Sequence, residues 1–144
     1  MPKLEIEPYL FFGGKCEEAL AFYSDVLGAE TLFKMRFSES PDPLPEGMIA
    51  DGFEEKIMHS TFRVKDTTIM ASDGCGPEAK FEGFSLAINL DDEAEAKRIF
   101  EGLSKGGKVD MPLSKTFWSP CYGMVTDRFN VGWMVMVPGE QTCS

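Results

Sequence analysis

No apolar run in the sequence approaches the roughly 18 to 20 residues that a membrane-spanning helix requires. The N-terminus, Met1 to Glu7, lacks a basic stretch followed by an apolar one. Membrane insertion and export are therefore not expected, and the cytoplasm is the expected location. Basic residues are scarce: 14 Lys and Arg face 24 Asp and Glu, a formal charge of −10. Such a chain repels a phosphate backbone at long range. No basic stripe with interleaved aromatics offsets that repulsion, so nucleic acid is not an expected partner. The four cysteines, Cys16, Cys75, Cys121 and Cys143, form neither a CxxC pair nor a dense framework, which points to reduced thiols.

What is present suits one compact domain, expected over residues 1–144. The composition is 43% apolar and 26% charged over 144 residues, close to the globular average. Ile6 to Phe12 is apolar and aromatic and stops at Gly13-Gly14, as a buried strand before a turn would. From Lys15 to Leu27 the positions Cys16, Ala19, Leu20, Phe22, Tyr23, Val26 and Leu27 recur at helical spacing, with Gly28 where a C-terminal cap belongs. Glu30 to Ser38 predicts a second strand, after which Pro41, Pro43 and Pro45 predict a loop through about Gly47. Lys56 to Val64 and Thr67 to Ser72 flank Lys65-Asp66, the spacing of a two-residue hairpin. Asp73 and Asp127 read as turn formers.

The order then repeats. Phe84 to Leu90 predicts a strand and Asp91 to Ser104 a helix, with Ala96, Ile99, Phe100 and Leu103 at helical spacing. Lys108 to Lys115, Tyr122 to Thr126 and Trp133 to Val137 predict three more strands. The fold class is thus α+β, two βαβββ modules, the first over about residues 1–75 and the second over about 80–140.

Several segments carry a family likeness. Glu7 to Phe12, followed by Glu18 to Tyr23 and Val26 to Ala29, resembles the opening of the vicinal oxygen chelate superfamily, which contains glyoxalase I, bleomycin-resistance proteins and extradiol dioxygenases. Met58-His59, Ile69 to Asp73, Thr116 to Trp118 and Tyr122 to Asp127 resemble its PhnB-like subgroup. The resemblance implies curved mixed sheets forming a half-barrel pocket of the glyoxalase kind, often in a homodimer. Metal-dependent members place four His, Gln or Glu ligands around a divalent cation. Here the corresponding positions, by spacing, hold Pro8, Met70, Ser85 and Met134. These cannot form such a site, so no metal and no cofactor are expected. The subgroup often carries a demethylubiquinone methyltransferase label. The chain has no glycine-rich strand-to-helix turn that would hold an adenosyl cofactor, and it is short for that fold, so methyl transfer is not expected.

Hairpin geometry refines the pocket. With Lys65 and Asp66 in the turn, Arg63 opposes Thr68, Thr61 opposes Met70, and His59 opposes Ser72, all on one face. His59, Thr61, Arg63, Met70 and Ser72 are then ligand-facing, while Met58, Phe62, Val64, Ile69 and Ala71 face the helix. Ser85 and Met134 join them through the resemblance, and Trp118 and Tyr122 are candidates to stack a planar ligand. Trp133, one residue from Met134, should point away. His59, the lone histidine, has three open readings: an acid or base, a ligand contact, or a hydrogen-bonded strand histidine without a task. Arg63 suits an anionic group, or pairs with an acid at the sheet edge. Cys121 is the thiol nearest the expected pocket, with no base assigned to it.

Three functions remain open at this level. The first is a metal-independent protein that sequesters a small molecule, in the manner of bleomycin resistance. The second is an isomerase or lyase acting on a small oxygenated substrate, with His59 transferring the proton. The third is an unfamiliar metal site that includes His59 and acidic loop residues.

Overall fold

The computed structural model describes residues 4–117 and 119–138. The chain divides into two compact units, one ending at Ala79 and the other beginning at Lys80. The first contains β1 (Tyr9–Phe11), α1 (Cys16–Leu27), β2 (Glu30–Arg36), β3 (Ile57–Val64) and β4 (Thr67–Ser72). The second contains β5 (Leu86–Asn89), α2 (Glu93–Ser104), β6 (Lys108–Ser114), β7 (Cys121–Thr126) and β8 (Gly132–Val137). Each unit forms one four-stranded mixed sheet, ordered β1-β4-β3-β2 and β5-β8-β7-β6. Neither sheet closes into a barrel. The outer strand β1 runs parallel to β4, as β5 does to β8, and the remaining pairs are antiparallel.

In the first unit one face of the sheet packs under α1. Cys16, Ala19, Leu20, Tyr23 and Val26 form the buried stripe of the helix. Across from them Leu10, Phe12, Phe62, Ile69 and Ala71 are buried. Phe62 stacks on Tyr23 with ring centroids 5.9 Å apart. The helix ends where the spacing predicts, with Gly28 at φ 70° and its N–H donating to the Ser24 carbonyl. That left-handed geometry costs glycine little.

Its start is built differently. Lys15 supplies no capping side chain. Instead Asp73, 2% exposed, reaches in from beyond β4 and accepts from the backbone N–H groups of Gly14 (2.8 Å) and Cys16 (2.7 Å) with Oδ1. Its Oδ2 accepts from Ile57 N–H at 2.7 Å. The turn-former reading of Asp73 is therefore corrected: a buried carboxylate joins the helix start to β3 and β4.

The hairpin has the expected register. Arg63 pairs with Thr68 and Thr61 with Met70, and Lys65 supplies the turn at φ 53° without a glycine. Three expected boundaries move. The first strand begins at Tyr9, because Pro8 has no N–H to give the ladder and Ile6 is 91% exposed. The second stops at Arg36, where Phe37 turns inward and a single 3₁₀ turn, Phe37–Glu39, follows. The fifth spans only Leu86–Asn89.

In the second unit Ala96, Ile99, Phe100 and Leu103 of α2 are buried, as are Cys121, Val125, Trp133, Val135 and Val137 of the sheet. Gly123 is required here, since a Cβ would stand 2.9 Å from the Phe100 ring. Asp127 is also buried. Its Oδ1 accepts from Phe129 and Val131 N–H, and its Oδ2 accepts from the Trp133 indole at 2.8 Å. It forms the turn, as its type suggests, and also anchors Trp133.

Candidate functional site

The face of the first sheet opposite α1 follows from strand alternation. Tyr9, Met70, Thr61 and Phe33 are consecutive partners across the four strands, and His59 pairs with Met35 in the adjacent row. This face is not packed shut: Tyr9, Phe11 and Phe33 are 37%, 51% and 47% exposed. The Tyr9 and Phe11 rings stack at 4.9 Å. The His59 ring lies between aromatics, 5.7 Å from Tyr9 and 6.0 Å from Phe33.

Tyr9 has two polar neighbours among the described residues, the Ser72 hydroxyl and His59. The Tyr9 hydroxyl lies 2.9 Å from His59 Nδ1. Burial pushes the Tyr9 phenol above its ordinary pKa, so the hydroxyl keeps its proton. Among the described residues no hydrogen-bond partner reaches His59 Nε2 or the Thr61 hydroxyl.

The other expected ligand-facing residues fare unequally. Arg63 lies 3.9 Å from Glu30, its cross-strand partner, in an exposed pair. Ser72 is buried, and its hydroxyl donates to the Ile57 carbonyl and accepts from Gly74 N–H. Met70 is half-buried beside Tyr9 and Thr61. In the second unit Ser85 precedes β5, with its hydroxyl 3.1 Å from where a Gly132 Cβ would stand. Met134 pairs with Ala87 and Met124, and Tyr122 pairs with Met136. Trp133 lies on the alternate, packed face with Val125. Trp118 lies outside the described residues, as does Cys143. Cys16, Cys75 and Cys121 are free cysteines. Burial drives the Cys16 thiol up to about 12 and raises Cys121 as well, which disfavours the thiolate in both.

A cavity of about 150 Å³ lies at the start of α1, lined by Gly14, Glu17, Arg36, Lys56 and Asp73 among others. Part of its charge is paired internally. Arg36 contacts Glu17 at 2.6 Å and the Glu55 carbonyl at 2.8 Å, Lys34 contacts Glu17 at 2.9 Å, and Lys56 donates to the Gly14 carbonyl at 3.0 Å. Hydrogen bonds from Arg36 and then Lys34 hold Glu17 down to about 2. Glu18 and Glu55 also line it, so its lining is acidic overall.

Two four-stranded mixed sheets, each with one helix and a parallel outer strand, are the glyoxalase-like α+β fold. The model of the 3-demethylubiquinone-9 3-methyltransferase family matches residues 4–136. The chain belongs to that family. Protein YjdN of Escherichia coli (strain K12) is 36% identical over 96% of this chain and 98% of its own. The crystal structure of protein PA1353 from Pseudomonas aeruginosa superposes with a TM-score of 0.82 at 42% identity, covering 94% of this chain and 98% of that one. The PhnB protein of Bacillus cereus gives 0.76 at 25% identity, covering 93% and 99%. Solved glyoxalase/bleomycin-resistance/dioxygenase and fosfomycin-resistance structures share the fold at low identity. The likeness to the PhnB protein makes the chain PhnB-like, and the low-identity structures show the glyoxalase-like fold.

The register bears on the first position that the resemblance implied, Pro8. By register it is Tyr9, not Pro8, that shares a face with Met70. The donors at the four positions become a phenol, two thioethers and a hydroxyl. That set does not fit Zn²⁺, Fe²⁺ or Ni²⁺, which take imidazole and carboxylate.

Tyr9, Phe11 and Phe33 are the site residues that sequence reasoning missed. Their signal was alternation against Leu10 and Phe12, hidden by assigning the pocket position to Pro8. Phe33 precedes one β2 irregularity and follows another, so counting along the strand misplaces it.

Proposed function

We propose that the protein binds a small molecule on the open face of its first sheet, with His59 as the polar recognition point and Thr61, Met70 and the Tyr9, Phe11 and Phe33 rings around it. The observation that carries this reading is the Tyr9–His59 pair, 2.9 Å apart within exposed aromatics. An exposed cluster of this kind costs solvation unless something covers it. Arg63 and Ser72 border the site, and Ser85, Trp118, Tyr122 and Met134 are kept as ligand candidates on the resemblance alone. The donor set at the former ligand positions supports binding without a divalent metal. Methyl transfer, which the family's name suggests, finds no support: Gly13-Gly14 lies between β1 and α1 but is no GxGxxG loop, and α1 leads to β2 at the other edge of the sheet rather than to a neighbouring parallel strand.

Small molecules co-purifying with wild-type protein from cell extract, identified by mass spectrometry, test the proposal. The bound compound should be absent from Met70→Arg, which plants a charge on the face. Equal recovery from both proteins would refute it. The Tyr9–His59 hydrogen bond also favours a second reading, an isomerase or lyase in which His59 passes a proton. That reading requires the recovered compound to be converted on incubation, at a rate lost in His59→Gln.

We further propose a single domain acting as a cytosolic homodimer. The supports are the free cysteines Cys16, Cys75 and Cys121 and the exposed apolar side chains on the outer strands, Leu32 and Phe33 on β2 and Val109 and Met111 on β6. Light scattering at micromolar concentration should give twice the chain mass.

A further inference from the structure

We propose that Tyr9 is a positioning residue that fixes the tautomer of His59, so that the open face presents one N–H donor and selects a flat ligand bearing an acceptor oxygen, in the class of aromatic or enolic carboxylates. This rests on the reading of that face as a ligand site.

The chemistry of the pair sets the direction of its hydrogen bond. A phenol is a better proton donor than a neutral imidazole N–H, and an imidazole nitrogen is a better acceptor than a phenol oxygen. The Tyr9 hydroxyl therefore donates to His59 Nδ1 across the 2.9 Å contact. A neutral imidazole carries a single proton, and with Nδ1 accepting, that proton sits on Nε2. No described residue accepts from Nε2, and the ring is half-buried among Tyr9 and Phe33. With no protein partner this N–H stays open to water, and a ligand acceptor can take the water's place.

The flatness of the ligand follows from the walls. Tyr9 and Phe11 are stacked with both rings partly exposed, and Phe33 flanks the imidazole from the β2 side. Planar π-systems fit such rings offset or edge-on. The Thr61 hydroxyl lies on the same face and can turn to donate a second bond. The local preference thus runs against the protein's overall field. A charge of −10 draws cations toward the surface, yet the donor at His59 rejects them at the site.

The single histidine makes the test direct. Proton–nitrogen correlation spectra of tag-free protein, labelled in histidine and held at alkaline pH, report the imidazole tautomer. The Nε2–H form should dominate, and in Tyr9→Phe, which keeps the ring and loses the hydroxyl, that dominance should be lost. A dominant Nδ1–H form, or an unchanged spectrum in Tyr9→Phe, would overturn the assignment. The ligand class is then probed with benzoate and benzamidinium, which share a shape and differ in offering only acceptors or only donors. Benzoate should shift the His59 Nε2–H signal and benzamidinium should not. The reverse preference would refute the ligand class while leaving the face a binding site. Silence from both would count against the ligand class and the proposed function together, with the tautomer of the free protein still deciding the role of Tyr9.

Discussion

The two units share element order and strand order, yet their helices begin by different physics. Helix α2 is capped locally: the Asp92 side chain accepts from Ala94 N–H two residues on. Helix α1 has no local cap and depends on Asp73, which comes from the far end of the same unit and also holds Ile57. The open faces differ as well. The first carries a phenol, an imidazole and two phenylalanines, while the second carries Met124, Met134 and Met136 with Tyr122. Soft thioethers adapt to shape, whereas the imidazole sets direction. Under the proposed function, recognition chemistry is concentrated in the first unit.

Breaking the two caps measures the first difference. Asp73→Ala strands three backbone N–H groups, two of them at buried positions, and should destabilise the protein by about 3 to 5 kcal/mol in denaturant titrations. Asp73→Asn should recover only part of this, since its amide nitrogen faces a donor. Asp92→Ala removes an exposed local cap and should cost about 1 kcal/mol. Equal losses at the two positions would erase the distinction.

A smaller effect sharpens it. Glu17 is held down to about 2 by Arg36 and Lys34. A lowered carboxylate pKa stabilises the fold above the unfolded value and loses that contribution as pH falls through the folded one. Glu17→Gln should therefore be less stable than wild type near neutrality and equal to it near pH 2. Because the carboxylate is largely exposed, the neutral-pH difference should stay below about 1 kcal/mol.

Most of the fold was readable because its signals are local. Residues 67–72 and the Lys65-Asp66 turn fix the hairpin register, and a two-residue turn leaves one set of cross-strand partners. The spacing of Cys16, Ala19, Leu20, Tyr23 and Val26 fixes the buried side of α1. What escaped is non-local. That Asp73 caps a helix more than fifty residues earlier depends on how β4 returns beside β1. The parity of Tyr9 depends on a parallel pairing only three residues long. Ser72 has the predicted parity, but its hydroxyl is committed to the Ile57 carbonyl and Gly74 N–H, and spacing says nothing of such bonds.

The central claim is that the two faces of β3 divide the work, packing on one side and recognition on the other. Parallel thermal and denaturant melts of Phe62→Ala and His59→Ala test this within three residues of one strand. Phe62 is fully buried against Tyr23, so its truncation should cost about 3 to 5 kcal/mol. His59 loses one hydrogen bond at an exposed phenol, so its variant should remain within about 1 kcal/mol of wild type. A neutral Phe62→Ala beside a collapsed His59→Ala would contradict the account, because the recognition face would then be the core.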